Sequence, residues 1–507
     1  MLLVFARRIH TLFERQIFYA MLVVNSVCTC AATVWIKMNS LVKDDPHDLV
    51  GASMHLLSDV KTLTKLIDIG EVKVKGKILG VAEAGTLKAW CLFGVPIVVR
   101  QYNPNFKEKW HIGRWPLLSL SRTPSSHVVR TETEDRPPCL YLSLGSLPFY
   151  DNRSGIPRVA KNLCREGLRQ DAIKFVPVYP DPVTGVYRRA DSWCAKQGWL
   201  TDKANVVDEE ISVRPGDWLV QTMINANALE FDAAYLASFR QAGGRLGAIL
   251  HDIIAEEHPE FFKPRDGLLF SKWLRLIVSY DGIFAISKAT EDAFKAWLKR
   301  TNLDSSVQIG HFHLGADFKK PQENMCNCLP AQITARPFFL QVSTLEPRKG
   351  YEQLLSSFEV LWASGVEVNL VIVGRRGWMM SKFVRRMKNH PALNKNLFWF
   401  AGASDDELLS LYKLATGVVV ASEAEGFGLS VAEGLWHGKP VIARDIPVFR
   451  EIGNEGLIYF SGMSSEAIAN AVRIVLHRDP SKSIFKPKTL TWAESFANFA
   501  QLLQKFS

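Results

Sequence analysis

Two doubly wound α/β domains in tandem, facing each other across a cleft and preceded by an α/β or helical extension, are what this sequence predicts. Three observations carry the prediction. The chain has 507 residues, too many for one hydrophobic core, so it must subdivide. It is 47% hydrophobic and 22% charged, which supports packed interiors and excludes wholesale disorder. From Cys139 onward, near-continuous apolar runs of strand length alternate with helical stretches, as in a parallel sheet covered on both faces.

The extension comes first, at residues 1–138. It holds 18 Lys+Arg against 12 Asp+Glu, so +6 of the chain's net +10 lies in its first quarter and points to a surface role there. "IFYAMLVVNSVCTCAATVWI" (17–36) is twenty residues without a charge, long enough to span a bilayer. Asn25, Ser26, Thr29 and Thr33 weaken that reading. The alternative is a helix buried in the extension, or one lying on a membrane behind the basic amphipathic "MLLVFARRIHTLFERQ". "EVKVKGKILGV" alternates like an exposed strand, and "GTLKAWCLFGVPIVVR" reads as helix, tight turn, strand. The polar, Pro-rich stretch 120–138 reads as a linker. The eight cysteines form two C-x-C pairs but no C-x-x-C or zinc-type Cys/His spacing, which fits reduced thiols in a cytosolic protein.

The first domain, 139–330, has strand candidates "CLYLSLG", "FVPVYP", "WLVQT", "GRLGAILHD" and "GIFAIS", with helices at "GIPRVAKNLCREGLRQ" and "KATEDAFKAWLKR". A second linker occupies 319–337, and the pattern restarts in a domain at 331–490. Its strands are "FFLQVS", "VNLVIVG", "LFWFAG", "GVVVAS", "PVIAR" and "LIYFS". Open sheets of this kind bind ligands at the carboxyl ends of their strands, so the loops there are the place to look for chemistry.

"STLEPRKG" (343–350) places Arg348 and Lys349 just before a helix that starts near Tyr351, and two cations beside free helix-start N–H groups suit a diphosphate. A solvated basic turn is the bland alternative. "VGRRGW" (373–378) ends the next strand, and Gly374, beside Arg375, allows a flat base near the backbone. "SEAEGFGLSVAEGLWHGKPVIA" (422–443) ends the fourth strand, where Gly426 and Gly428 leave room for a ligand and Glu425 faces it. Glu433 sits in the first turns of the following helix. Ser430 and Glu433 also fit S-x-x-E, a capping box that needs no ligand, and the residues by themselves leave the two readings open.

Taken in order, these motifs closely resemble the C-terminal half of retaining glycosyltransferases of family 4, with the GT-B fold, and Glu425 to Glu433 reproduces that family's E-x7-E spacing. "SGIPRV", "LHDIIAEEHPEFF", "DGIFAISKATEDAF" and "HLGAD" resemble its first half, and "TWAESFANFAQLL" (within 491–507) resembles the helix that crosses back to the first domain. The resemblance covers 139–507.

It implies a nucleotide-sugar bound mainly to the second domain and an acceptor bound mainly to the first, with no divalent metal and no further cofactor. Arg348 and Lys349 would hold the diphosphate and stabilise the leaving group. Glu433 would take ribose hydroxyls, while Glu425 and backbone N–H groups around Phe427 to Leu429 would orient the sugar. Gly155 would let the first domain close over the phosphates, and His251 would lie beside the reacting carbon unless it is an ordinary strand-end histidine. Retention would proceed by same-face attack assisted by the leaving phosphate, with a covalent step as the alternative. Ser430 stands where the family usually has proline, and "GLWHG" replaces a small-residue turn; both bear on sugar and acceptor choice.

The wording of "TLEPRKG" and "VGRRGW" resembles bacterial mannosyl- and rhamnosyltransferases of O-antigen or exopolysaccharide assembly, which implies GDP-mannose first and dTDP-rhamnose second. A single span with its N-terminus inside would separate such an enzyme from its donor. The expectation is therefore a cytoplasmic enzyme held peripherally on the inner membrane through residues 1–40, acting on a saccharide or polyprenol-linked acceptor. Rival readings are a GT-B epimerase or phosphorylase and a non-catalytic GT-B scaffold. Nucleic-acid binding is disfavoured, because no aromatic-basic stripe accompanies the charge.

Overall fold

The computed structural model describes residues 79–84, 87–92, 95–101 and 129–507, apart from 132–135, 152–153, 183, 201–205, 225–231, 304, 318–328, 454–455 and 479–488. Two units result, Met1–Ser121 and Arg122–Ser507. In the first, strands β1 (Leu79–Ala84), β2 (Leu87–Leu92) and β3 (Val95–Gln101) form an antiparallel meander. This corrects the helix expected at "GTLKAWCLFG": only eight residues separate Gly85 from Gly94, too few for a stable helix but enough for a strand paired on both sides. The apolar segment 17–36 and the basic stretch before it lie outside the described residues. Among those described, no helix is long and apolar enough to cross a membrane.

The second unit opens with a short strand, β4 (Arg130–Thr131), paired in parallel with β8 (Ser212–Val213). The end of the expected linker is anchored, because buried Arg136 makes a bidentate pair with Asp217 at 2.8 and 2.6 Å. A seven-stranded sheet follows, built from β5 (Cys139–Ser143), β6 (Lys174–Pro180), β7 (Tyr187–Arg189), β9 (Trp218–Gln221), β10 (Arg245–Leu250), β11 (Gly282–Ala285) and β12 (Gln308–His311). Its order is β12-β11-β10-β9-β5-β6-β7, parallel except for β7, a short antiparallel edge that the sequence reading missed. Helices α1 (Gly155–Gly167) and α2 (Lys288–Thr301) belong to this half.

A six-stranded sheet comprises β13 (Phe338–Val342), β14 (Asn369–Val373), β15 (Leu397–Phe400), β16 (Gly417–Val420), β17 (Val441–Arg444) and β18 (Leu457–Phe460). All neighbours are parallel in the order β15-β14-β13-β16-β17-β18. Its helices include α3 (Tyr351–Ala363), α4 (Asp405–Leu414), α5 (Leu429–Trp436) and α6 (Pro447–Ile452). The strands are apolar on both faces because helices cover both, and buried clusters lie on either side of each sheet.

The last helix, α7 (Trp492–Phe506), starts with a capping box in which Thr491 Oγ1 accepts the Glu494 N–H at 3.2 Å. It buries Trp492, Phe496, Phe499 and Phe506 in the core of the first sheet rather than the second. That crossing follows from its apolar i, i+3, i+4 spacing and the aromatic cavity beside α1 and β11.

Candidate active site

In the second sheet the chain order reverses between β13 and β16, and this switch point puts the loops after those two strands side by side. The loop after β13 makes a 3-10 turn, Pro347–Lys349, and then passes through Gly350 in the left-handed region (φ 67°) into α3. A Cβ at Gly350 would sit 2.2 Å from the carbonyl oxygen of Ala421, so only glycine lets the two loops approach this closely.

The approach brings both cations onto Glu425. Lys349 Nζ donates to Oε1 at 2.6 Å and Arg348 Nη1 to Oε2 at 2.9 Å, while Ser422 Oγ adds a third bond at 2.8 Å. The three charged side chains are only 10–14% exposed. Burial pushes the Glu425 carboxyl up, but Lys349, Arg348 and the Ser422 hydroxyl outweigh it and bring its pKa to about 2. Arg348 is held more firmly charged than usual: burial opposes its charge, and Glu425, Glu346 and Asp252 overcome that. Glu346, whose Oε2 lies 3.3 Å from Arg348 Nε, is raised by burial against the pull of the two cations.

Glu433 lies elsewhere in the same crevice and has different partners. It is 1% exposed, accepts from the Tyr412 hydroxyl of α4 at 2.6 Å, and forms an ion pair with Arg158 of α1 in the facing half. Burial raises its pKa, opposed by Arg158 and Tyr412. The capping alternative fails here. The N-cap of α5 is Gly428 (φ 95°), no side chain caps it, and Ser430 Oγ donates instead to the carbonyl of Val342. Capping boxes do occur at Ser404/Glu407 and Thr491/Glu494.

The two halves meet around the glycine pair. A Cβ at Gly426 would fall 1.8 Å from the His251 carbonyl oxygen, and the Gly426 carbonyl accepts from Ser287 Oγ at 2.6 Å and Thr290 Oγ1 at 3.0 Å. Phe427 is buried among residues of the first half's core, and Leu429 lies 3.9 Å from where a Cβ on Gly155 would be. His251 is buried at the end of β10, with Nε2 2.7 Å from the Thr222 carbonyl. A carbonyl only accepts, so Nε2 carries the hydrogen and Nδ1 the lone pair, and burial keeps the ring neutral by lowering its pKa.

Gly374 is required by its own neighbourhood. At φ 155°, its missing Cβ would meet the Ser343 carbonyl oxygen at 1.8 Å, so only glycine lets the loop after β13 pack this closely. Arg375 ties the same loop by accepting the Leu345 N–H at its carbonyl. Sequence reasoning overlooked Arg158 and Tyr412. Arg158 stands within "SGIPRV", three residues after Gly155 and so on one helix face with it, which was the available signal.

Comparison with known proteins agrees with this architecture. Residues 331–491 match the family described as glycosyl transferases group 1. The serotype-specific mannosyltransferase WbdA of Escherichia coli is 31% identical over 378 residues, which cover 72% of this chain and 46% of WbdA. The O-antigen chain mannosyltransferase RfbU of Salmonella typhimurium is 31% identical over 137 residues, 27% of this chain and 37% of RfbU. The chain thus spans less than half the length of these curated relatives. In fold it is similar to a sucrose-phosphate synthase of Thermosynechococcus elongatus (TM-score 0.51, 16% identity, 73% of this chain and 99% of the other). The chain has the GT-B fold, and its residues 331–491 match the glycosyl transferases group 1 family.

Proposed function

We propose that the protein is a retaining glycosyltransferase of family 4 that moves a hexose from a nucleotide-sugar to a saccharide or lipid-linked saccharide during surface polysaccharide assembly. Mannose, from GDP-mannose, is the first choice of sugar, in keeping with the names of its relatives, and rhamnose from dTDP-rhamnose is the second. One observation carries the reading: Arg348 and Lys349 converge on Glu425 at the switch point of the second sheet, facing the first half. Buried, preorganised cations there stabilise a departing nucleoside diphosphate, a task that otherwise falls to a metal ion.

In this reading the donor diphosphate competes with Glu425 for the two cations, and the freed carboxylate then orients the sugar. Glu433 exchanges Arg158 for the ribose hydroxyls. Neutral His251 offers its Nδ1 lone pair to a sugar hydroxyl, and the Phe427 to Leu429 amides at the start of α5 complete the polar lining. The leaving phosphate deprotonates the acceptor on the same face, which gives retention. Closure at Gly426 and Gly155 excludes water and so suppresses hydrolysis. The basic N-terminal residues hold the enzyme peripherally on the inner membrane, near its polyprenol-linked acceptor.

The test is to incubate purified protein with a panel of sugar nucleotides and mannosylated acceptors and to follow nucleotide release. GDP-mannose should be turned over by the natural chain and by neither Lys349→Ala nor Glu433→Ala. Binding without turnover under every acceptor would favour a scaffold, and no binding of any sugar nucleotide would overturn the reading.

A further inference from the structure

We infer a transition-metal site of the zinc type, formed by His311, His313 and Glu451 across the seam between the two halves. Two histidines separated by one residue on extended backbone project from the same face, and here the intervening Phe312 is buried on the other. His311 ends β12 and His313 follows it, with their ring centroids 5.8 Å apart. Glu451 comes from α6 of the opposite half, and its Oε1 lies 2.5 Å from His313 Nε2.

One ligand atom from each of the three side chains can be chosen so that all lie within 4.8 Å of one another. A tetrahedral centre with metal–ligand bonds near 2.1 Å separates its ligand atoms by roughly 3.4 Å, so side-chain rotation alone closes the site. Two imidazoles and one carboxylate, with a fourth position open, form a donor set that zinc accepts.

The surroundings favour a metal over a plain pair of ion pairs. His311 Nδ1 is 2.5 Å from Glu291 Oε2; a carboxylate accepts, so Nδ1 carries the hydrogen and the Nε2 lone pair is left for a cation. Glu451 is itself oriented by the amide N–H groups of Lys288 (2.6 Å to Oε1) and Ala289 (2.8 Å to Oε2) at the start of α2. Outer partners of the kind that orient metal ligands are therefore in place for His311 and for Glu451. Three carboxylates (Glu291, Asp292 and Glu451) against two lysines, Lys295 on Glu291 and Lys288 on Asp292, leave the neighbourhood net negative. A bound ion replaces the proton between His313 and Glu451 and cross-links the halves next to Phe427, whose ring centroid is 5.8 Å from that of His313. This site is independent of the donor assignment.

The full-length chain, stripped with chelator, should be titrated with Co2+ alone. One equivalent should give visible ligand-field bands of a tetrahedral nitrogen–oxygen site without the near-ultraviolet thiolate band of a cysteine site, and Zn2+ should abolish them. His313→Gln and Glu451→Gln should each weaken binding about 100-fold, and Glu291→Gln about 10-fold. Zn2+ should raise the thermal midpoint of the natural chain but not of His313→Gln. If a variant misfolds, the natural chain still decides: absence of ligand-field bands at stoichiometric Co2+, or bands of thiolate type, overturns the inference. So do bands that persist unchanged in both His313→Gln and Glu451→Gln.

Discussion

Replacing Glu425 with glutamine removes one charge and almost no volume, and the structure fixes what that costs. Arg348 and Lys349, 14% and 10% exposed, would keep an amide where they now share a carboxylate. The Glu425 pKa of about 2, against an ordinary 4.5, corresponds to roughly 3 kcal/mol of stability at neutral pH. Because the folded pKa is depressed, that contribution is complete above pH 4.5 and disappears as pH falls towards 2. Glu425→Gln is therefore expected to unfold about 4 °C below the natural chain at pH 7, with the gap narrowing through this acid window. Differential scanning calorimetry of both proteins at several pH values measures it. Isothermal titration with GDP supplies the second readout: without a competing carboxylate the cations should bind the diphosphate more tightly, while sugar transfer drops about 100-fold or more. Equal midpoints at pH 7, a gap that does not change with pH, or weaker GDP binding would each refute the reasoning.

Three further outcomes follow from the geometry. Arg158→Ala leaves Glu433 buried without its cation and should cost roughly 1–3 kcal/mol by urea denaturation. Burial raises the Glu433 pKa and Arg158 opposes that rise, so removing Arg158 costs most where the carboxylate is ionised, and this loss should grow as pH rises. Gly426→Ala drives a methyl group into the His251 carbonyl and should hold the seam open, lowering kcat in sugar-transfer assays by about 100-fold while GDP still binds. Trp492→Ala empties a 1% exposed site between the last helix and the first sheet and should destabilise the protein by roughly 3–5 kcal/mol in the same urea assay.

The six strands of the second sheet could be read from the sequence because each is a short, nearly pure apolar run ended by glycine, serine or a charge, and a strand buried on both faces permits little else. Residues 87–92 were misread as helix because a run this short carries no period long enough to separate helix from strand. Strand β7 was missed because its three residues, Tyr187–Arg189, are an edge with two arginines. The order of motifs along the chain also pointed to the family that residues 331–491 match.

By itself the sequence determined the class of the strands in the second sheet and the supply of charge around their ends: Arg348, Lys349, Glu425 and Glu433 were all visible there. It left Ser430 and Glu433 undecided between a cap and a ligand site, since local spacing permits both. Only the tertiary structure decided it. Tyr412, which claims Glu433, precedes it by 21 residues, and Arg158, which claims it too, comes from the other half of the molecule; no local pattern encodes such partners. The pairing of both cations with Glu425 has the same origin: parallel strands β13 and β16 are neighbours in the sheet but about 80 residues apart in sequence, and their adjacency is set by sheet order, which burial of the whole core selects.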